Sequence, residues 1–250
     1  MKPIALQLYS VREAMAGDFA GVLKQVADIG YVGVEFAGLH GKAPAEVKKM
    51  VDDLGFVVCS AHMALPTADN AAQLIDECST LGITKLVSGF GPDQFKTGDD
   101  VKASAAKFQA AAELLKPAGI TFGIHNHWWE FKEVDGRMVE DTVLDLAPDA
   151  FAELDVYWAE VGCGDAAGSV ARLAARCPLL HIKDGNIEPT HPMTAVGAGK
   201  LDMPKIIAAA DPNVTEWLIV ELDSCATDML AAVTESYRYL VGNGLARGNQ

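Results

Sequence analysis

Short apolar runs alternate with amphipathic segments along almost the whole chain. A helical segment ends at an apolar residue followed by glycine, as at Ile29-Gly30 and Leu54-Gly55, and a run rich in Val, Ile and Phe comes next. Glycine directly after a helix is a common left-handed stop signal. The apolar runs show little alternation, which is typical of strands buried on both faces. The pattern predicts eight strands, which begin near residues 4, 32, 56, 84, 120, 151, 179 and 217.

Amphipathic segments of helical length separate these strands. The predicted helices span residues 18–29, 43–54, 70–81 and 99–116, and later ones read AAGSVARLAARC, MPKIIAAA and DMLAAVTESYRYLV. This alternation of strands and helices implies a parallel sheet. Eight such units in 250 residues match the size of a (β/α)8 barrel, and a doubly wound open sheet is the alternative.

The segments between the strands favour the barrel. The first strand is not followed by the G-x-G-x-x-G loop that an open nucleotide-binding sheet would carry. The chain also contains no linker or low-complexity stretch that would separate two domains. We therefore predict an α/β protein with one domain, a single (β/α)8 TIM barrel over residues 1–250.

The chain is acidic and rich in apolar residues. Half of its residues are hydrophobic, which is enough to bury a sizeable core and excludes a disordered chain. There are 20 Lys and Arg against 34 Asp and Glu, and the formal net charge of −14 gives no attraction to phosphate backbones or anionic lipids. Nucleic-acid and membrane partners are therefore not expected.

Cysteine usage and the N-terminal sequence predict a soluble cytoplasmic protein. The five cysteines are scattered and form no C-x-x-C pair, which argues against a disulfide framework and suits a reducing compartment. Gln7 and Arg12 interrupt the first apolar stretch too early for a signal peptide. No stretch approaches the roughly 18 apolar residues that a membrane-spanning helix requires.

Ionisable and polar side chains collect where the predicted strands end. In a barrel, chemistry takes place at the carboxyl ends of the strands. Four of the six histidines lie at such ends, whereas chance placement would scatter more of them over helices and loops. The full set is Gln7, Tyr9, Glu35, His62, His125, Asn126, His127, Asp155, His181, Lys183, Asp184, Glu221 and Asp223.

The side-chain types in this set are those of a divalent metal site. Imidazole and carboxylate groups that converge from adjacent strands suit Mn²⁺, Mg²⁺, Co²⁺, Zn²⁺ or Fe²⁺. Side chains two apart on a strand share a face, so His125 and His127 could both point into the barrel mouth while Asn126 points away. The same spacing relates His181 to Lys183.

Single residues of the set also have simpler interpretations. A lone strand-end histidine such as His62 is more often a hydrogen-bonded structural residue than a ligand, and Glu35 could form an ion pair inside the barrel. The larger set comprises His125 or His127 with Asp155, His181 and Glu221. Burying so many ionisable groups without a metal or a substrate would be costly, so this larger set predicts a functional site.

Several segments resemble the sugar phosphate isomerase/epimerase family of xylose isomerase-like TIM barrels. The motifs are ITFGIHNHWWEF, ELDVYWAEVGCGD, LLHIKDG, VGAGKLDMPKII and LIVELD, and the opening QLYSVR and GYVGVEF fit the same pattern. The resemblance covers nearly the whole chain. It is specific for the superfamily, which includes tagatose/psicose epimerases, hydroxypyruvate isomerase, inosose dehydratase and endonuclease IV, and weakly specific for substrate.

The resemblance implies one divalent metal ion held by residues on strands five to eight, which in the epimerases are Glu, Asp, His and Glu. Asp155, His181 and Glu221 match the last three, and His125 stands where the strand-five Glu would align. Trp158 stands where the epimerases carry a histidine three residues after the Asp. The epimerases use both metal-binding Glu residues as opposed bases. Retention of Glu221 alone therefore leaves an isomerase, a dehydratase or a lyase open.

Expected roles follow from this match. The expected catalytic residues are Glu221, His125, His127 and Lys183; the expected substrate contacts are Glu35, His62, Glu130 and Trp158; the expected metal ligands are His125, Asp155, His181 and Glu221. Glu221 is the expected base, because it is the strand-eight carboxylate beside the metal. A histidine of the HNH segment, or Glu130, would be the second acid/base.

The expected function is a divalent-metal-dependent isomerase or epimerase that removes a proton next to a metal-bound carbonyl of a sugar, keto-sugar or related polyol. The alternatives are a dehydratase or lyase acting on an inosose or 3-keto-glycoside at the same site, and a non-catalytic sugar-binding barrel. A DNA-repair endonuclease is a weaker alternative, because it would need a basic groove. The resemblance also implies a homo-oligomer, in which Trp128, Trp129 and Phe131 would supply a contact.

Overall fold

Eight parallel strands form a closed barrel in the computed structural model, which describes residues 1–249. The barrel strands, numbered one to eight in chain order, are Lys2–Gln7, Gly33–Phe36, Val57–His62, Lys85–Ser88, Thr121–His125, Phe151–Asp155, Leu179–Ile182 and Trp217–Val220. Each strand pairs with the next, and the eighth pairs with the first in a register that aligns Ile4 with Leu218. The predicted (β/α)8 barrel is confirmed, and the open-sheet alternative is wrong.

Helices surround the barrel. The α-helices are Arg12–Gly17, Phe19–Ile29, Pro44–Asp53, Ala71–Leu81, Gly98–Leu115, Val139–Leu146, Val156–Cys163, Ala166–Leu173, Met203–Ala208 and Met229–Gly242. Single 3-10 turns are Pro92–Phe95, Lys116–Ala118 and Ala174–Arg176. A short antiparallel hairpin joins Glu133–Val134 to Arg137–Met138, and Ala246–Arg247 adds to the first strand. No helix within residues 1–249 is both long and apolar enough to cross a bilayer.

The glycine stop signals operate as predicted. Gly30 and Gly82 end their helices in the left-handed conformation, with φ of 116° and 75°. Pro44 occupies the first turn of its helix, where a missing N–H costs nothing. The predicted domain over residues 1–250 ends at a residue outside the described part of the chain.

The barrel interior consists of an apolar layer below a polar layer. Ala5, Val87 and Leu179 belong to a buried cluster inside the barrel. Two residues further along the first and seventh strands come Gln7 and His181, which are fully buried and polar. Because side chains two apart share a face of a strand, the layer above the apolar floor carries the polar groups. The strand ends therefore deliver ionisable side chains to one end of the barrel.

The sixth strand is shorter than the sequence pattern predicts. The apolar run AFAELDVYW reads as one strand, but the strand ends at Asp155 and the helix Val156–Cys163 begins directly. The Asp155 carboxylate caps this helix by accepting a hydrogen bond from the backbone N–H of Trp158 at 2.9 Å. A side-chain acceptor at this position satisfies an otherwise unpaired helical donor, which explains the early switch from strand to helix.

Candidate active site

An open cavity of about 840 Å³ lies at the carboxyl ends of the strands. Its residues divide into an apolar group and a polar group. The apolar group includes Phe36, Leu39, Met63, Leu74 and Phe90, and the polar group includes His62, His125, His127, Glu77, Glu221 and Asp223. A cavity of this size is typical of small-molecule sites, and its position is that of active sites in TIM barrels.

Glu153 is the centre of a buried cluster of histidines below this cavity. Its Oε2 lies 2.5 Å from His62 Nε2, 3.0 Å from His125 Nδ1 and 3.3 Å from His181 Nε2. The side chain has no exposed surface, so Oε2 contacts imidazoles in place of water, while Oε1 has no hydrogen-bond partner among the described residues. Sequence analysis missed Glu153. The signal was present, since Glu153 precedes Asp155 by two residues and shares its face of the strand.

A second buried carboxylate, Glu35, supports the same cluster. Its Oε1 lies 2.8 Å from His181 Nε2 and 3.3 Å from His62 Nε2. Gln7 Nε2 donates to that oxygen at 2.5 Å, and the hydroxyl of Ser60 donates to the other. Burial and the nearby charge of Glu153 raise the pKa of Glu35 to about 6. Glu35 is thus an internal partner of the histidines, as the simpler interpretation of this residue expected.

The histidines of the cluster differ in their affinity for protons. Burial lowers the pKa of His62, but Glu153 and Glu35 outweigh burial and raise the pKa to about 9. The same two carboxylates and Glu221 raise the pKa of His181 above its ordinary value against the effect of burial. His125 differs, because burial and the neighbouring histidines hold its pKa well below 6.5 despite its bond to Glu153. His125 therefore presents a neutral imidazole, the form that binds metals and accepts protons.

Lys183 lies among three carboxylates at the inner edge of the cavity. Its Nζ is 2.8 Å from Glu221 Oε2, 2.9 Å from Asp223 Oδ2 and 3.0 Å from Asp155 Oδ2. Burial lowers the pKa of Lys183, but these three charges outweigh it and keep the ammonium protonated. In turn, Lys183 and His181 hold the pKa of Glu221 well below its ordinary value although burial opposes them. Glu221 is therefore a carboxylate at neutral pH.

Asn126 fixes the backbone of Asp155. Its Oδ1 accepts a hydrogen bond from Asp155 N at 2.8 Å, and its Nδ2 donates to Asp155 O at 3.2 Å. Asn126 is completely buried. The residue predicted to point away from the mouth thus ties the end of the fifth strand to the end of the sixth.

The loop after the fifth strand brings His127 to the cavity. The His127 ring stacks on Trp129 with 4.2 Å between centroids, and its centroid is 5.2 Å from that of His125. Trp129 Nε1 donates to the carbonyl of Phe90 at 3.1 Å, which fixes the stack. His127 is half-buried, so it can meet both solvent and a bound ligand.

Six of the ten predicted site residues stand behind the cavity wall. The buried carboxylate of Glu130 accepts the backbone N–H of His127 at 2.8 Å, so it shapes the loop. Trp158 packs near Lys183, whose Nζ is 5.7 Å from the indole centroid. Neither residue lines the cavity, and Lys183 does not line it either. Asp155, His181 and Glu35 do not line it, and Glu35 contacts His62 and His181. The four predicted residues that do line the cavity are His62, His125, His127 and Glu221.

The residues expected to hold a divalent metal fit that role by chemistry and proximity. Donor atoms of His125, Asp155, His181 and Glu221 all lie within 4.8 Å of one another. Asp155 Oδ2 is buried and accepts no hydrogen bond from the described residues, although Lys183 Nζ lies 3.0 Å away as an ion-pair partner. A buried carboxylate oxygen that accepts no hydrogen bond has lone pairs available to a further cation. A second group, His62, His125, Glu153 and His181, also has its donor atoms within 4.8 Å.

These features define the class of protein. The chain belongs to the xylose isomerase-like TIM barrel family, whose model matches residues 23–240. Among solved structures, it is similar to a sugar phosphate isomerase/epimerase from Parabacteroides distasonis, with 28% identity and a TM-score of 0.84. The match covers 98% of this chain and 96% of that one. The resemblance found in the sequence motifs is confirmed.

More distant structures share the fold. An L-ribulose 3-epimerase matches with 19% identity and a TM-score of 0.74, over 98% of this chain and 95% of its own. The IOLI protein, whose structure carries a zinc atom, matches with 12% identity and a TM-score of 0.74, over 97% and 99% of the two chains. A search of curated proteins by sequence found no match.

Proposed function

We propose that the protein is a divalent-metal-dependent isomerase or epimerase, which removes a proton next to a carbonyl of a sugar, keto-sugar or related polyol. One observation carries the proposal. An ionised carboxylate, Glu221, borders the cavity while two histidines, His125 and His127, border it as well. Proton removal and return require a base and an acid within reach of one substrate. The similar isomerase/epimerase and epimerase structures support this reaction class.

Asp155, His181 and Glu221, completed by His125, are the residues that would hold the metal. The zinc in the IOLI structure supports a metal in this fold. A bound divalent ion would polarise the carbonyl and neighbouring hydroxyl of the substrate and make the adjacent C–H more acidic.

Glu221 is the base in this proposal. Lys183 and His181 contact its carboxylate and keep it ionised. Glu221 still lines the cavity, where a substrate can contact it. Lys183 therefore acts as a positioning residue that contacts Glu221, rather than as the catalytic residue expected from the sequence. Glu153 positions the imidazole rings in the same way, through its contact with His125.

A histidine returns the proton. His127 is half-exposed beside His125, so it can take up a proton from solvent and return it to the substrate. The neutral His125 has one ring nitrogen on Glu153 and would use the other for the metal. His62 lines the cavity and is retained as a substrate contact. Glu130 orders the loop that presents His127 and is not assigned a chemical step.

A dehydratase or lyase is the second candidate function. A histidine stands at the strand-five position, where the epimerases would have their second base, and His127 is placed to protonate a departing hydroxyl or alkoxide. The first proton removal would be the same. Loss of a β-substituent would then follow in place of reprotonation.

Incubation of the metal-loaded protein with ketoses, 3-keto-glycosides and inososes in D₂O, followed by NMR, tests the proposal. We expect deuterium at the carbon next to the carbonyl of at least one compound, and none with chelator-treated protein. An epimer, an isomer or an unsaturated product identifies the reaction. Sugars that stabilise the protein without any exchange would instead show a non-catalytic sugar-binding barrel.

A further inference from the structure

The electrostatics of the cavity bear on the charge of its ligand. Among the described residues that line it, the charged side chains are the carboxylates Glu77, Glu221 and Asp223 and the protonated imidazole of His62, and none is Lys or Arg. The charge of His62 is balanced by its contacts with Glu153 and Glu35 beneath the cavity. The buried Lys183 nearby is already matched by three carboxylates. Lys183 and a divalent ion held by Asp155 and Glu221 would together carry three positive charges, which equal the three negative charges of Asp155, Glu221 and Asp223. The cavity therefore offers no surplus positive charge to an anionic substrate.

Arg12, which contacts two residues of the cavity wall, is also engaged. Arg12 donates to the backbone carbonyls of Tyr9 at 2.7 Å and of Asp223 at 3.0 Å. Its guanidinium lies 3.9 Å from the centroid of the Tyr9 ring. Redirecting Arg12 to a ligand phosphate would break both hydrogen bonds and this stacking contact.

The backbone donors that TIM barrels commonly use for phosphate are occupied by the carboxylate of Asp184. Phosphate groups in this fold bind at the loops after strands seven and eight and at the start of a nearby helix. Here Asp184 Oδ1 accepts N–H groups from Gly185 at 2.8 Å and Leu201 at 3.2 Å. Its Oδ2 accepts those of Gly197 at 2.9 Å and Gly199 at 3.2 Å. A buried anion of the chain itself thus fills the four-donor pocket.

The segment after the eighth strand shows the same arrangement. Its helix, Met229–Gly242, is capped by Asp228, which accepts the N–H of Ala231 at 2.8 Å. The N-terminus of this helix, whose N–H groups could attract a phosphate, is therefore already capped by the carboxylate of Asp228. A substrate phosphate at either place would meet a fixed negative charge.

We propose that the substrate is a neutral polyhydroxy carbonyl compound, without phosphate or carboxylate groups, and that the apolar residues Phe36, Leu39, Met63 and Phe90 receive an uncharged part of it. The cavity, at about 840 Å³, is in the upper part of the range for drug-sized ligands, so it has room for more than one sugar ring. This inference rests on the proposed function, because it concerns the ligand of the same site.

Matched pairs of free and phosphorylated sugars test the inference. Binding to the metal-loaded protein is measured by calorimetry for D-fructose, D-ribulose and D-xylulose and for their terminal phosphates. We expect each phosphate ester to bind at least about tenfold more weakly than its neutral partner. The ratio should shrink with added salt, while neutral sugars are unaffected. Equal or tighter binding of the esters, or competition by inorganic phosphate, would overturn the inference, as would a panel in which no neutral sugar binds.

A charge variant strengthens the test. Glu77→Gln should lower the discrimination against phosphate esters two- to threefold or more, since it removes a cavity carboxylate. Glu235→Gln, on an exposed position of the last helix, should leave it unchanged. Deuterium exchange, read separately, distinguishes the two ideas. Neutral sugars that bind without exchange would refute the proposed function alone, and phosphate esters that bind best and exchange would refute the inference alone.

Discussion

Two completely buried glutamates in this barrel should respond to the same substitution in opposite ways. Glu153 contacts three imidazoles, which hold its pKa well below the ordinary 4.5 although burial opposes them. Glu140, on the helix Val139–Leu146, has no hydrogen-bond partner for either carboxylate oxygen. Burial and the charges of Glu130 and Asp141 raise its pKa to about 8.

Glu153→Gln should destabilise the protein at neutral pH. The change removes one of the two carboxylates that protonated His62 and His181 share, and leaves only Glu35 between them. Breaking a buried ion pair costs about 3–5 kcal/mol, and the remaining Glu35 places the expected loss at the lower end of that range. Because the pKa of Glu153 is lowered on folding, its contribution is present above pH 4.5 and is lost as the pH falls through and below that value. The difference between wild type and variant should therefore shrink in acid.

Glu140→Gln should have the opposite sign. Because the pKa of Glu140 is raised from 4.5 to about 8, the folded protein retains a proton that the unfolded chain has released. Wild-type stability then falls between pH 4.5 and 8, by up to about 1.4 kcal/mol for each pH unit. A glutamine does not titrate, so the free energy of unfolding of the variant should rise relative to that of the wild type between pH 4.5 and 8. Above pH 8 this difference should stay constant.

Urea unfolding of chelator-treated proteins from pH 4 to pH 9 measures both curves. The two glutamates are equally buried, so each variant is a control for burial in the other. A neutral effect of Glu153→Gln at pH 7 would refute the account of the histidine cluster. A Glu140→Gln curve parallel to that of the wild type would show that Glu140 is ionised in the folded protein.

Three further changes test individual contacts. Asp155→Ala and Asp165→Ala each remove a helix-capping carboxylate worth about 1 kcal/mol, and Asp155→Ala should cost more because it also removes a buried partner of Lys183. Only Asp155→Ala should lose bound divalent metal in elemental analysis, and equal metal content would remove Asp155 from the ligands. Asn126→Ala should lower the unfolding free energy by about 1–3 kcal/mol, because the backbone of Asp155 loses two buried partners, and an unchanged urea midpoint would contradict this. Gly199→Ala should lower the melting temperature, because a Cβ there would lie 2.0 Å from Asp184 Oδ1; an unchanged value would show that the loop adapts freely.

The barrel could be predicted from the sequence because strands and stop signals are local features. Strands buried on both faces give continuous apolar runs, and glycine marks the end of the helix before them, as at Gly30 and Gly82. The helix Val139–Leu146 was not predicted, because it follows a short hairpin rather than a strand of the barrel. The beginning of the helix Val156–Cys163 read as strand because the apolar run continues through Asp155 without a break.

The sequence predicted the residues at the strand ends but not the buried contacts beneath them. Residues at strand ends could be found by position alone, and His125, His181 and Glu221 do converge. Glu153 lies two residues before Asp155 on the same strand, deeper inside the barrel. Its role depends on tertiary contacts, such as the one with His62 from another strand, which the local sequence does not reveal. Likewise, nothing local distinguishes Glu130, which turns inward to bind a backbone N–H, from a carboxylate that faces the cavity.

The deuterium-exchange rate of Glu221→Gln tests the central claim most directly. Wild type and variant are compared in D₂O with the sugar that exchanges best, at equal metal content confirmed by elemental analysis, with the exposed Glu235→Gln as control. The account predicts a loss of at least about a hundredfold in the variant, since general-base catalysis commonly contributes that much, and no change in the control. Exchange by Glu221→Gln at the wild-type rate would contradict the assignment of Glu221 as the base.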